Sequence, residues 1–176
     1  MSFVIFDRDG TLIEHVHHLV EPSLVKLKPG LVPALSKLHQ FGFRFGIITN
    51  QSVIARGLAT LFEVNQINRV ITNALEPWGI FFDFIYICPH LPSEGCLCRK
   101  PAIELGLRAI RENHVIPNSS FMVGDRESDM EFAKELGFRA VQLSSEMENS
   151  PSSDYCTDTL DDAANWILSI VDGKDK

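Results

Sequence analysis

Phe3-Val4-Ile5-Phe6-Asp7-Arg8-Asp9-Gly10-Thr11-Leu12 begins with four consecutive apolar, β-favouring residues and then switches to acid, base, acid and glycine. A short apolar run closed by a turn signal reads as a buried strand ending in a loop. Extended backbone has a period of two, so the carboxylates of Asp7 and Asp9 project to one side of the strand's C-terminal edge, and Gly10 lets the chain turn away. A bare Asp-x-Asp also fits a solvated loop or a helix cap. Its place directly after a buried strand favours a shared pocket.

Outward from this stretch the pattern repeats. Pro29 and Gly30 open a helix with Leu31, Ala34, Leu35 and Leu38 on one face, stopped by Gly42, and Phe43 to Ile48 is the next strand. Leu58, Leu61, Phe62, Ile67, Val70 and Ala74 predict a long or broken helix; Gly79 marks its end and Phe82 to Ile87 a third strand. A helix from Pro101 to Asn113, a strand from Phe121 to Val123, a helix through Met130, Ala133 and Leu136 to Gly137, and a strand from Ala140 to Leu143 follow. Ser144 to Asp158 reads as a surface connection into a last amphipathic helix with Ala163, Trp166, Ile167 and Ile170. Strands alternating with helices predict an α/β fold: a doubly wound, mostly parallel sheet with helices on both faces. With 176 residues, 45% of them hydrophobic, residues 1–176 are expected to form a single domain around one core.

Composition narrows the function classes. The formal charge of −7 and pI near 5.3 argue against a broad nucleic-acid or anionic-lipid footprint, so any phosphate must be held locally. Neither a basic, apolar leader nor a run of roughly 20 apolar residues is present. The expectation is a cytoplasmic protein, a monomer, with a small-molecule ligand and no nucleic-acid or membrane partner.

Four further motifs carry chemistry. A carboxylate can attack phosphorus to give an acyl phosphate, while a second acid protonates the leaving oxygen and later deprotonates water; Asp7 would attack and Asp9 would move the proton. Thr49, Asn50, Gln51 and Ser52 close the second strand with a hydroxyl and amides, uncharged donors suited to phosphate oxygens but also ordinary turn residues. Cys88, His90, Cys96 and Cys98 lie within eleven residues, and two prolines and Gly95 help that loop fold back on itself. Three thiolates and an imidazole in a closed set are typical of a structural zinc, without an open position for water. Arg99-Lys100-Pro101 follows directly, so a metal-tied loop would deliver two cations to a fixed place, with Pro101 in the first turn of the next helix. Asp125, with Asp7 and the backbone carbonyl of Asp9, could hold a hard cation such as magnesium. Asp129 could support it from behind or cap a helix. His15, His17 and His18 form either an exposed loop or a substrate-lining wall. Cys156 carries no assigned chemistry.

In order and at strand ends, Asp7-Arg8-Asp9-Gly10-Thr11-Leu12, Thr49-Asn50-Gln51, Arg99-Lys100-Pro101 and Gly124-Asp125-Arg126 resemble the motifs of the haloacid-dehalogenase-like phosphatases. The zinc loop running into Cys98-Arg99-Lys100-Pro101 is similar to the branch that holds D-glycero-D-manno-heptose 1,7-bisphosphate phosphatase and histidinol-phosphate phosphatase. That resemblance implies a capless enzyme with Asp7 as nucleophile, Asp9 as acid/base, Thr49 and Lys100 on phosphate, and Asp125 on magnesium. It also implies zinc on Cys88, His90, Cys96 and Cys98, with Arg99, Arg126 and the loop from His15 to His18 near the rest of the substrate. Cys88-Pro89-His90-Leu91-Pro92 resembles the histidinol-phosphate enzymes; Asn50-Gln51-Ser52 with Ile54-Ala55-Arg56-Gly57 resembles the heptose enzymes, although Val53 stands where those have glycine and His17-His18 where they have Gly-Tyr. The expected reaction is removal of the C7 phosphate of the heptose bisphosphate, the alternative is histidinol phosphate, and a third reading is an inactive zinc-stapled binding module. The last is disfavoured because Asp7, Asp9, Lys100 and Asp125 are all present.

Overall fold

The computed structural model describes residues 1–145 and 150–173. Six strands form one parallel sheet: β1 (Phe3–Phe6), β2 (Arg44–Asn50), β3 (Phe82–Cys88), β4 (Phe121–Gly124), β5 (Arg139–Leu143) and β6 (Tyr155–Thr157), in the order β3-β2-β1-β4-β5-β6. Five α-helices pack on it: α1 (Leu31–Gln40), α2 (Leu61–Leu75), α3 (Glu104–Asn113), α4 (Glu127–Leu136) and α5 (Leu160–Asp172). Each central strand is buried on both faces, and its residues divide by parity. Val4 and Phe6 join a core with α1, α2 and α5, whereas Phe3 and Ile5 face α3 and α4. Phe121 and Val123 against Met122 repeat this split in β4. A period of two in a continuous apolar run is what a strand covered by helices on both sides requires.

The order of the strands reverses between β1 and β4, and in open parallel sheets the crevice beyond the strands' C-terminal ends at such a point is where ligands bind. The chain that leaves β1 bends around one carbonyl: Arg8 O accepts from the backbone N–H groups of Leu12 at 2.9 Å and Ile13 at 3.2 Å. Gly10 has φ +85°, and a Cβ there would lie 2.3 Å from Asp125 Oδ2. Glycine is therefore needed both for the turn and to let Asp125 approach. Between β1 and α1 the chain carries one three-residue 3-10 helix, Pro22–Leu24, and no further layer, as expected for a capless fold.

Three sequence expectations need correction. The second helix does not begin at Leu58: Thr60 caps it, accepting from Glu63 N–H while the Glu63 carboxylate accepts from Thr60 N–H, and residues 53–59 form turns. Pro101 is not in the first turn of α3, which starts at Glu104; the Lys100–Pro101 peptide is cis and lies in a turn. The connection from Ser144 to Asp158 contains β6, which extends the sheet beside β5, while residues 146–149 of that connection lie outside the described residues. No helix among the described residues is long and apolar enough to cross a membrane.

Candidate active site

Parallel strands deliver their C-terminal residues to one edge, and here that edge carries Asp7 from β1, Thr49 and Asn50 from β2, Cys88 from β3 and Asp125 from β4. A cavity of about 460 Å³ opens there, lined by Asp7, Asp9, Asn50, Gln51, Ser52 and Lys100 on its floor and by His15, His18, Arg56, Arg99 and Arg126 toward its mouth. His17 and Asp129 also line it. Thr49 does not: it is buried beneath the cavity, and its Oγ1 accepts from Gln51 Nε2 at 2.8 Å.

Lys100 is the centre of the floor. Its side chain is 1% exposed, and Nζ donates to Asp7 Oδ1 at 2.7 Å and to Ile48 O at 2.6 Å while pairing with Asp129 Oδ1 at 2.7 Å. Burial opposes the ammonium charge, but Asp129 and Asp7 outweigh it and hold the pKa above its ordinary value. Asn50 fixes the backbone of this lysine at both ends: Asn50 Nδ2 donates to Lys100 O and Lys100 N–H donates to Asn50 Oδ1, each at 3.1 Å. The Asn50 amide thus positions Lys100 from the floor of the cavity, with both of its polar ends engaged. Arg99 is braced by donating to His90 O at 3.2 Å, so its guanidinium rides on the cysteine loop as the spacing implied.

Asp9 is held differently. The wholly buried Arg8 forks onto it, with Nη2 at 2.8 Å from Oδ2 and 3.0 Å from Oδ1, and Gln51 Nε2 donates to Oδ2 at 2.6 Å. Gln51 is therefore an anchor of Asp9, with its Oε1 accepting from Arg8 at 2.8 Å. At the mouth, His17 and His18 lie with ring centroids 3.9 Å apart, and His15 Nε2 is 3.4 Å from an Arg126 nitrogen, bridging the loop after β1 to the start of α4. Ser52 is half-buried in the cavity wall.

Asp7, Asp125 and Asp129 can each place a carboxylate oxygen within 4.8 Å of the others. Asp125 Oδ1 is buried without a hydrogen-bond partner, and burial, then Asp7 and Asp129, push its carboxyl up to about 7. Clustered acidic oxygens, one of them orphaned, fit a hard divalent cation. The carboxylate of Asp9 is outside this cluster, so its backbone carbonyl is what it has to offer a cation. Asp129 combines the two roles that the sequence left open: its Oδ2 accepts from Arg126 N–H at the start of α4 at 3.1 Å, and its Oδ1 meets Lys100. Arg8, Asp129 and Arg56 are site residues that sequence reasoning did not commit to. An Arg between two motif aspartates and an Arg just after a strand-end polar run were the signals available.

The cysteine loop closes on itself. Cys88, Cys96 and Cys98 sulfurs lie 3.3 to 3.6 Å apart, and His90 Nδ1 is 3.2 Å from Cys98 and 3.7 Å from Cys88. A tetrahedral zinc with bonds to sulfur of about 2.3 Å has edges of about 3.8 Å, close to these values, whereas a disulfide needs about 2.05 Å. All four cysteines are unbridged. Burial pushes the Cys88 thiol up to about 12, so a thiolate at Cys88 requires a cation beside it. The four donors fit a closed zinc site.

With this geometry in place, comparison with known proteins defines the class. A profile of the haloacid dehalogenase-like hydrolases matches residues 13–143, and the chain belongs to that family. The Histidine biosynthesis bifunctional protein HisB of Legionella pneumophila (strain Lens) is 36% identical over 82% of this chain. The chain spans about two fifths of the length of the HisB proteins it matches first, 42% for this one. The D-glycero-beta-D-manno-heptose-1,7-bisphosphate 7-phosphatase of Helicobacter pylori (strain ATCC 700392 / 26695) is 35% identical over 72% of this chain and 74% of its own. Among solved structures, the D,D-heptose 1,7-bisphosphate phosphatase from B. bronchiseptica, complexed with magnesium and phosphate, aligns with a TM-score of 0.86 at 27% identity, covering 97% of this chain and 99% of that one.

Proposed function

We propose that this chain is a magnesium-dependent phosphomonoesterase that works through an aspartyl-phosphate on Asp7 and removes the C7 phosphate of D-glycero-D-manno-heptose 1,7-bisphosphate. The observation that carries this reading is the buried Lys100 ammonium bound to both Asp7 and Asp129, beside Asp125, on the floor of a cavity walled by arginines. In the first displacement an Asp7 oxygen attacks phosphorus, the bond from phosphorus to the sugar oxygen breaks, and Asp9 gives its proton to that oxygen. In the second, water attacks the acyl phosphate and gives a proton to Asp9, the bond from phosphorus to Asp7 breaks, and inorganic phosphate leaves. Lys100 and Arg99 balance the phosphate charge. Asp7, Asp125 and the Asp9 carbonyl would hold magnesium, which offsets repulsion between an incoming phosphate and the carboxylates. Zinc on Cys88, His90, Cys96 and Cys98 would shape the loop that carries Arg99 and Lys100. The unbridged thiols suit the reducing cytoplasm.

The likeness to HisB supports histidinol phosphate as a second reading. Its cationic amine needs an acidic wall beyond the carboxylates already paired with Arg8 and Lys100, but Glu14, the candidate in the loop after β1, is exposed and does not line the cavity, whereas Arg56, Arg99 and Arg126 do. A second phosphate suits those arginines better. The test is phosphate release with magnesium from both anomers of the heptose bisphosphate and from histidinol phosphate, with Asp7→Asn as control. A preference of about tenfold or more for one heptose anomer is expected. Preference for histidinol phosphate would reassign the substrate, and no release from either would overturn the reading.

A further inference from the structure

Asn68 is a polar side chain buried in the middle of α2, 3% exposed, in a helix whose other buried residues are Val64, Ile67, Ile71 and Leu75. A buried amide among apolar neighbours costs stability unless it is hydrogen-bonded. Its partner is Arg8: Nη1 of that wholly buried guanidinium donates to Asn68 Oδ1 at 3.2 Å. Asn68 Nδ2 is 3.4 Å from Asn65 Oδ1, one turn earlier. The rest of the guanidinium faces the active site. Nε donates to Asp9 Oδ2 at 3.2 Å, and Nη2 reaches both Asp9 oxygens and Gln51 Oε1.

The two oxygens of Asp9 are thereby made unequal. Oδ2 accepts from Arg8 Nε, Arg8 Nη2 and Gln51 Nε2, whereas Oδ1 accepts from Arg8 Nη2 alone. Oδ1 is the oxygen left to carry a proton toward substrate. Asp9 and Gln51 hold the guanidinium through Nε and Nη2, and Asn68 holds its remaining nitrogen, Nη1, from α2. A planar group fixed at all three nitrogens has its orientation, and that of the fork it makes, fully set.

We infer that Asn68 is a positioning residue for proton transfer, acting from α2 through Arg8 to orient the carboxylate of Asp9. The inference rests on the proposed phosphatase chemistry with Asp9 as acid/base. It makes a demand that simple stabilisation does not: a loss that depends on the leaving group. A sugar alkoxide needs a proton to depart; a nitrophenolate does not.

The test compares wild type, Asn68→Leu and Asn68→Ser on the heptose bisphosphate and on p-nitrophenyl phosphate. Leu removes the acceptor at similar volume; Ser cannot reach Nη1 but leaves room for water beside the guanidinium, so it keeps the test open if the Leu variant does not fold. The expected result is a fall in kcat/KM of about tenfold or more on the sugar phosphate, with kcat/KM for the aryl phosphate within about twofold of wild type, because kcat/KM reports formation of the aspartyl-phosphate and not its hydrolysis, in which Asp9 serves both esters alike. Equal losses on both substrates, or no loss on either, would overturn the inference and leave Asn68 a structural residue. Wild type without activity on either ester would instead sink the phosphatase reading, and the role of Asn68 with it.

Discussion

Lys100 satisfies three groups at once, Asp7, Asp129 and the Ile48 carbonyl, so replacing it cannot be silent. Lys100→Met keeps the stem and removes the charge, leaving two buried carboxylates without their cation at a cost of about 3 to 5 kcal/mol. Phosphate release should fall by at least about a hundredfold, and the melting temperature should drop. Activity within tenfold of wild type would remove Lys100 from the phosphate site. Asp125 gives a pH test with a defined sign. Its folded pKa of about 7 lies above the ordinary value of 3.8, so between these values the folded protein binds the extra proton and stability declines as pH rises. Metal-free protein should therefore lose melting temperature from about pH 4 to about pH 7, a slope that Asp125→Asn flattens and that magnesium opposes by favouring the ionised form. An unchanged slope in the variant would show that Asp125 is not the titrating group. That Asp7, Asp9, Asp125 and Lys100 would lie at one edge of the sheet was legible because the three aspartates closely follow strands and Lys100 follows the cysteine loop that β3 leads into. Arg8 and Asn68 were not, since their meeting depends on α2 folding back over the β1 turn, which local spacing does not encode.

At the scale of elements, the cysteine loop and the active site form one continuous device. Cys98 is followed immediately by Arg99, which donates to the His90 carbonyl, and by Lys100, which Asn50 clips to the end of β2. On the proposed metal assignments, stripping zinc from the cysteine loop should release this connection even where Asp7 and Asp125 are intact. Chelation is therefore expected to abolish phosphate release, with activity returning on zinc but not on magnesium alone, and Cys98→Ser should mimic the loss. Full activity of chelated protein, with metal content checked by elemental analysis, would reduce the loop to a surface ornament. The strands β1 to β5 and all five helices could be read from apolar periodicity and their stop signals. β6 could not, because its three residues are half-buried at a sheet edge and lack an apolar run. What holds it is long-range: Tyr155 stacks on Trp166 of α5, rings 3° from parallel with centroids 5.0 Å apart. The start of α3 was misplaced for a similar reason. Proline after a polar pair signals a first helical turn, but here the turn at Pro101 is shaped by the placement of Lys100.

For the whole molecule, charge is distributed against its own average. The chain carries a formal −7, yet Arg8, Arg56, Arg99, Lys100 and Arg126 line the cavity against Asp7, Asp9 and Asp129. Arg8 and Lys100 are already paired with those acids, which leaves Arg56, Arg99 and Arg126 as the cations near the mouth. Three arginines gathered at one cavity, unpaired with acids among the described residues, attract an approaching anion locally, while the net negative charge of the chain repels polyanions too large to enter. A bisphosphate feels this field twice, once at each end. Raising ionic strength from about 0.01 M to about 0.5 M shortens the screening length from about 30 Å to a few ångströms. It should therefore lower kcat/KM for the heptose bisphosphate more steeply than for p-nitrophenyl phosphate. Arg56→Ala and Arg126→Ala should each raise KM for the bisphosphate by about tenfold, bring its salt dependence toward that of the monoester, and leave kcat nearly unchanged, since both side chains are exposed whereas Asp7 is buried and paired with Lys100. Parallel salt curves for the two esters would mean that the arginines bind no second phosphate. The cavity wall would then favour a sugar bisphosphate no more than histidinol phosphate.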